Sequence, residues 1–231
     1  MRLLITRPEE DGEALSKRLL AAGHEAILAP VMEIVAVDAR LELEGVQALL
    51  VTSRNGARML ARATPRRDLP VYAVGDQSAA EAKADGFAIV TSAAGNVAAL
   101  ATLVARSIDP KRGPLLHGAG SAQAGDLAQM LAAKGFTVRR TILYESRAKK
   151  ALPDAAQRAL KTGYVEGVLF YSPRTARVFG ELAQEAGLGA GLGSLTAYCL
   201  SEAVAEAASP FAYKAYRVAK TPNEATLLAL I

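Results

Sequence analysis

Two short stretches of the chain, residues 49–61 (LLVTSRNGARMLA) and 169–180 (LFYSPRTARVFG), place hydroxyl and amide side chains between a predicted buried strand and a helix. A strand that enters a helix through such a turn directs unpaired backbone N–H groups and side-chain donors at one spot, which favours an anion. Side chains of these types also cap helices, at about 1 kcal/mol each, and one residue can do both. The candidate substrate-binding residues at the two turns are Thr52, Ser53, Asn55, Ser172 and Pro173.

Three further positions could contact an anionic substrate. Gly75 follows a predicted strand, and the missing side chain there lets the backbone approach a ligand closely. Ser78 lies three residues later, where it can donate to a ligand or support the start of a helix. Arg7 follows the end of the first predicted strand and could pair with a carboxylate, although solvation at the surface is the commoner fate of an arginine.

Several common catalytic arrangements do not occur in the sequence. The two histidines and the single cysteine form neither a Ser-His-Asp constellation nor a cluster with metal-ligand spacing. His117 precedes Gly118-Ala119-Gly120, but the spacing that follows is wrong for a dinucleotide fingerprint, and no acidic partner ends a strand about 20 residues on. We read His117 as structural or facing a site, and Cys199 as a core thiol. We predict no metal and no cofactor, and a dinucleotide-dependent enzyme is disfavoured.

The composition is that of an ordered globular protein. Apolar residues make up 51% of the 231 residues, and the net charge of +4 favours an anionic partner. Nucleic acid is disfavoured because aromatic residues are only 5%, tryptophan is absent, and the basic residues are dispersed. The apolar run near the N-terminus is too short for a signal peptide or a membrane span, so we expect a cytoplasmic protein, monomeric by default.

Short apolar runs alternate with amphipathic segments along the whole chain, which predicts βαβ units and parallel sheets. Several of the predicted helices end at a glycine, as expected for C-terminal caps. Ten strands suit two five-stranded sheets better than one sheet. The predicted strands cover residues 3–6, 25–29, 47–51, 71–74, 87–90, 114–117, 136–138, 167–171, 195–200 and 214–218.

An internal repeat indicates that the chain arose by duplication. Residues 2–26 resemble 113–138, and residues 71–87 resemble 197–211. A simple division into two domains would fall near Asp109. Two segments with exposed-strand alternation, VMEIVAV and TILYESR, permit a second division, in which they pair as an antiparallel hinge and the first domain is discontinuous. The residues by themselves do not choose between the two divisions.

The order and spacing of seven short motifs resemble the uroporphyrinogen-III synthase family, over the whole chain. These motifs are Arg7-Pro8, Thr52-Ser53-x-Asn55-Gly56, Ala73-Val74-Gly75, Gly95-Asn96, Tyr144-Glu145, Phe170-Tyr171-Ser172-Pro173 and Thr221-Pro222. The resemblance implies an α/β fold of two flavodoxin-like parallel-sheet lobes joined by a two-stranded antiparallel β-ladder, with a substrate cleft between the lobes. It favours the discontinuous division: residues 1–31 plus 149–231 as lobe 1, 38–142 as lobe 2, and 32–37 and 143–148 as hinge strands.

The resemblance also implies an activity. Members of the family cyclise linear hydroxymethylbilane, with loss of water and inversion of the terminal pyrrole ring, as cofactor-free lyases of heme and porphyrin biosynthesis. The implied general acid is Tyr144, although a tyrosine on a strand can also simply pack its ring, and Thr221 joins the implied substrate contacts. The alternative is a non-catalytic bilobal protein that binds a small anion, or a degenerate paralogue of the synthase.

Overall fold

The computed structural model describes residues 1–122 and 126–231. The strands are β1 (Arg2–Ile5), β2 (Glu25–Leu28), β3 (Met32–Ala36), β4 (Ala48–Val51), β5 (Val71–Ala73), β6 (Val90–Ser92), β7 (Leu115–Gly120), β8 (Val138–Ala148), β9 (Gly167–Phe170), β10 (Thr196–Cys199) and β11 (Ala215–Val218). The α-helices are α1 (Glu9–Ala21), α2 (Arg54–Ala63), α3 (Asp76–Ala84), α4 (Val97–Ser107), α5 (Leu127–Ala132), α6 (Asp154–Lys161), α7 (Pro173–Glu185), α8 (Gly189–Leu192), α9 (Glu202–Ala208) and α10 (Glu224–Leu228).

The chain divides into two compact units. Unit 1 comprises Met1–Glu33 and Arg147–Ile231, and unit 2 comprises Ile34–Ser146. The chain therefore passes from one unit to the other within β3 and again within β8. Within the described residues, no helix combines the length and the apolar character that crossing a lipid bilayer requires.

Unit 1 contains a five-stranded parallel sheet in the order β11-β10-β9-β1-β2. Strands β1 and β9 lie next to each other inside the sheet, and apolar side chains such as Leu4 and Phe170 are fully buried there. Helices cover both faces, which is why these strands read as continuous apolar runs rather than as alternating ones. When the five strands are renumbered from 1 to 5 along the chain, their order in the sheet is 2-1-3-4-5, which is the order of flavodoxin-like folds.

Unit 2 holds most of a six-stranded sheet in the order β3-β8-β7-β4-β5-β6. Strands β8, β7, β4, β5 and β6 run parallel. The edge strand β3 runs antiparallel to β8. Two hydrogen bonds beside these strands show the direction: the Val37 N–H donates to the Leu143 carbonyl, and the Lys149 N–H donates to the Val31 carbonyl, so residue numbers rise along one strand as they fall along the other. The predicted α/β class with an antiparallel pair of strands is confirmed.

The two sheets repeat one spatial arrangement. Apart from β3, the order β8-β7-β4-β5-β6 of unit 2 matches β2-β1-β9-β10-β11 of unit 1. The segment from β7 to β8 thus corresponds to the segment from β1 to β2, as the internal sequence repeat indicates.

The strand prediction was wrong in three details. Eleven strands form instead of ten, because the β3 segment joins the sheet of unit 2. The predicted strand 136–138 and the segment 141–147 are not separate, because one strand, β8, begins at Val138 and runs through the second segment. Residues 87–90 are not a strand; β6 begins at Val90. The reason is that Phe87 belongs to the end of α3: it follows Gly86 (φ 93°), donates its N–H to the Ala82 carbonyl, and buries its ring.

Candidate functional site

The predicted site residues of unit 2 lie at the carboxyl edge of its parallel strands. From β4 the chain proceeds to β5 and β6 on one side, whereas β7 and β8 lie on the other side. Ligands of parallel α/β sheets bind at such a reversal of strand order. Thr52 and Ser53 follow β4 directly, Gly120 ends β7, and Tyr144 is the register partner of Gly120 on β8.

Tyr144 and Ser53 form the central polar contact of this edge. The Tyr144 hydroxyl lies 2.8 Å from the Ser53 hydroxyl, and either can donate. Ser53 caps α2, since its extended backbone lets Oγ accept the Gly56 N–H at 2.9 Å. The phenol is thereby held at the positive end of a ten-residue helix.

Gly120 makes room for the Tyr144 ring. A Cβ atom built on Gly120 would lie 2.7 Å from Cζ and 2.9 Å from the hydroxyl oxygen of Tyr144, closer than atoms can pack. A side chain at this position would displace the phenol from Ser53.

A cavity of about 160 Å³ lies beside this pair, entirely within unit 2. His117 is buried and places Nε2 3.2 Å from the Thr52 hydroxyl. Burial, and then the positive charge of Arg140, lower the pKa of His117 to about 4, so its imidazole is neutral at physiological pH. The described lining residues are Thr52, Ser53, Val97, His117, Ala119, Gly120, Ala122, Leu127, Ala128, Arg140 and Tyr144.

The remaining predicted residues of unit 2 lie on neighbouring turns. Asn55 is in the first turn of α2, where its side-chain oxygen accepts a long 3.4 Å hydrogen bond from Arg58. Gly75 caps α3, and a Cβ built there would meet no atom closer than 4.0 Å, so its backbone is open to a ligand. Ser78 is buried in the first turn of α3. None of these three is among the described residues that line the cavity.

In unit 1, Ser172 and Pro173 occupy the turn that corresponds to Thr52 and Ser53. Ser172 caps α7 by accepting the Thr175 N–H at 3.2 Å, and Pro173 is the first helical residue. Thr221 is exposed after β11, and its hydroxyl accepts a hydrogen bond from the Asn223 side chain. Ligand contacts of these residues stay predictions.

Arg7 is engaged inside unit 1. Its guanidinium donates to Glu224 at 2.8 Å and to Asp11 at 3.1 Å, and it stacks 4.3 Å from the centre of the Tyr171 ring. Although burial raises the pKa of Glu224, the hydrogen bond and charge of Arg18, with the charge of Arg7, outweigh it and hold that pKa below its usual range. The predicted substrate contact of Arg7 would compete with these internal carboxylates.

Sequence reasoning did not single out Arg140, and it left His117 as structural or facing a site. His117 belongs to a segment aligned by the internal repeat, so comparing the two halves position by position would have marked it, whereas Arg140 lies just beyond that segment and is identified only by its strand register with His117. Among the described residues, no group of three or more His, Cys, Asp or Glu side chains is arranged to hold a metal ion.

Comparisons with known proteins agree with this architecture. The uroporphyrinogen-III synthetase structure from Helicobacter pylori matches with a TM-score of 0.63 at 19% identity, over 100% of this chain and 98% of that one. A mutant uroporphyrinogen III synthase from the extremely thermophilic bacterium Thermus thermophilus matches with a TM-score of 0.50 at 20% identity, over 99% of this chain and 96% of that one. At these identities the likeness shows the fold. No curated protein matches the chain.

The family model described as "Uroporphyrinogen-III synthase HemD" matches residues 13–229, nearly the whole chain. The chain therefore belongs to the uroporphyrinogen-III synthase HemD family, whose members are enzymes of heme biosynthesis.

Proposed function

We propose that the protein cyclises linear hydroxymethylbilane to uroporphyrinogen III as a cofactor-free lyase, with loss of water and inversion of the terminal pyrrole ring. The chain is a member of this family, and one observation carries the proposal: the Tyr144 hydroxyl is held 2.8 Å from the Ser53 hydroxyl at the start of α2. Family membership favours this reading over a non-catalytic anion-binding protein.

The first chemical step is departure of the terminal hydroxyl group. Hydroxide is a poor leaving group, so a proton donor beside the oxygen lowers the barrier. The Ser53 oxygen already accepts from Gly56, so its own proton is available to the Tyr144 oxygen. The phenol proton can then be given to the departing hydroxyl, which leaves as water while the pyrrole nitrogen stabilises the positive carbon.

The second requirement is control of shape. The bilane closes without inversion in water, so the enzyme must hold the terminal ring in the turned-over orientation while the new C–C bond forms. Several fixed donors suit this task better than one nucleophile. The substrate carries eight carboxylates, and unit 2 offers donors at the Thr52 hydroxyl and the open backbone of Gly75.

The product isomer tests the proposal. Freshly prepared hydroxymethylbilane is incubated with the protein, and the oxidised porphyrins are separated chromatographically. Isomer III above the buffer background is expected. Isomer I alone, from protein shown to be folded by circular dichroism, would refute the synthase activity.

The same proposal includes the setting of the reaction. The enzyme acts on its small-molecule substrate as a cytoplasmic monomer, without nucleic acid or membrane as a partner. Sedimentation equilibrium at micromolar concentration tests the monomer, for which the expected mass is 24.1 kDa.

A further inference from the structure

We propose that the cavity of unit 2 is a carboxylate-binding pocket in which Arg140 holds one acidic side arm of the substrate and His117 and Thr52 complete its polar wall. The identity of that arm, an acetate or a propionate group of the bilane, rests on the proposed function. The pocket itself rests on a comparison of the two units of this chain.

Strand register identifies the counterparts of the two polar residues. In unit 2, His117 on β7 pairs with Arg140 on β8. In unit 1, Ile5 on β1 pairs with Leu28 on β2. The corresponding strands occupy the same places in the two sheets, and the sequence repeat aligns Ile5 with His117. A polar pair in one unit therefore stands where the other unit has an apolar pair.

In unit 1 the apolar pair is covered by α1. A Cβ built on Gly12 of that helix would lie 3.1 Å from Leu28 and 3.6 Å from Ile5, which leaves no space between helix and sheet. Helix α1 begins at Glu9, soon after Ile5, whereas α5 begins only at Leu127, well beyond His117. In unit 2 a cavity of about 160 Å³ occupies this region.

The charges of the pocket favour an anion. The Nη2 atom of Arg140 donates to the Gly120 carbonyl at 2.7 Å, and its buried Nε has no hydrogen-bond partner among the described residues. No acidic side chain occurs among the described lining residues. Arg140 lines the cavity, and a carboxylate matches the planar fork of an arginine side chain. The start of α2 adds positive potential at Ser53.

The size of the pocket selects a side arm rather than a ring system. A cavity of about 150 Å³ in another protein is known to hold one benzene molecule. The pocket is comparable, so it can take a carboxymethyl or carboxyethyl group, whereas a pyrrole ring with its substituents must remain outside.

The test is to give unit 2 the residues of unit 1, in the double variant His117→Ile and Arg140→Leu. If the polar pair serves binding, the variant folds with a melting temperature no lower than that of the wild type, because an apolar pair fills the same place in unit 1. Its KM for hydroxymethylbilane should rise about 10- to 100-fold, the loss expected for a hydrogen bond to a charged group. An unchanged KM would overturn the pocket.

Arg139→Leu is the matched control. It removes one positive charge from the neighbouring position of β8, where Arg139 donates to the carbonyls of Glu42 and Glu44 and does not line the cavity. Its KM should stay within about twofold of the wild type. An equal rise in both variants would show that general charge, not the pocket, is responsible.

A second readout does not depend on catalysis. Sodium propionate is titrated into the ¹⁵N-labelled wild type while the Arg140 Nε–H signal, assigned with Arg140→Leu, is followed by NMR at constant ionic strength. A saturable shift with propionate, and none with the uncharged propionamide, supports the pocket even if no isomer III is formed. No shift, or equal shifts with both compounds, would overturn it.

Discussion

The hydroxyl groups of Tyr144 and Ser53 lie 2.8 Å apart, although the two residues are separated by 91 positions in the sequence. One comes from β8 and the other begins α2, so the contact exists only because β7 lies between β8 and β4 in the parallel sheet of unit 2. This contact places the Tyr144 hydroxyl, a proton donor, at the positive end of helix α2.

Tyr144→Phe removes the hydroxyl and keeps the ring. We expect turnover of hydroxymethylbilane to isomer III to fall, by about 10²- to 10⁴-fold if the phenol is the general acid. The free energy of unfolding should change by only about 1 kcal/mol, because one partly buried hydrogen bond is lost. Tyr164→Phe is the control, since that hydroxyl binds Glu25 at the surface of unit 1. Full turnover by Tyr144→Phe would remove the catalytic role.

Ser53→Ala separates capping from catalysis. The variant loses the cap of α2, which should cost about 1 kcal/mol of unfolding free energy, and it also leaves Tyr144 without its partner. Asn96→Ala loses the corresponding cap of α4, since the Asn96 side chain accepts the Ala99 N–H. Urea unfolding should show similar losses, whereas only Ser53→Ala should slow turnover. Equal rates would mean that Ser53 is a cap alone.

Gly120→Ala tests whether the position of the phenol matters. The added methyl group must displace the Tyr144 ring, so turnover should fall nearly as far as in Tyr144→Phe, with a loss of about 1–3 kcal/mol in stability. In Gly193→Ala the new Cβ would meet only ordinary contacts, at 3.4 Å and beyond, and the backbone φ is −62°. That control should be neutral in both assays. Wild-type turnover by Gly120→Ala would contradict the geometry.

His117 should make the protein less stable in acid. Its pKa in the folded protein is about 4, against about 6.5 when unfolded, so the unfolded chain binds the extra proton between these values. Stability contributed by neutral His117 is complete above pH 6.5 and is lost as the pH falls towards 4, by about 3 kcal/mol in all. In His117→Gln this part of the loss should disappear, as measured by urea unfolding at pH 7, 6, 5 and 4. Parallel pH profiles would contradict the assignment.

Arg7→Met should destabilise unit 1. After the substitution, Glu224 keeps its ion pair with Arg18, but Asp11 loses one cationic partner. The side chains of Arg7, Asp11 and Glu224 are only 6–12% exposed. We expect a loss of about 2 kcal/mol in unfolding free energy. Arg66→Met, which breaks an exposed pair with Asp68, should cost clearly less, because solvent screens that pair. Equal effects would show that the Arg7 network adds nothing beyond a surface pair.

Local features of the fold could be read from the sequence because they depend on nearby residues. The strand-to-helix turn of unit 2 was placed correctly, since the Ser53 cap is set by the residue types that follow it. The helix end at Gly135 was placed correctly too, since only a glycine adopts φ 86° without strain. The start of β6 was missed, because the burial of Phe87 resembles that of a strand residue while its backbone completes a helix end.

By itself, the sequence determined the parallel α/β class, the internal repeat and the strand-to-helix turns, because periodicity, capping and repeats are written in short windows of residues. Only the tertiary structure decided that Tyr144 meets Ser53, that Arg7 is held by Glu224, and that Arg140 stands beside His117 over a cavity. Those pairings depend on strand order and register across the chain. Both are set by how the whole sheet buries its apolar faces, which no local stretch of residues specifies.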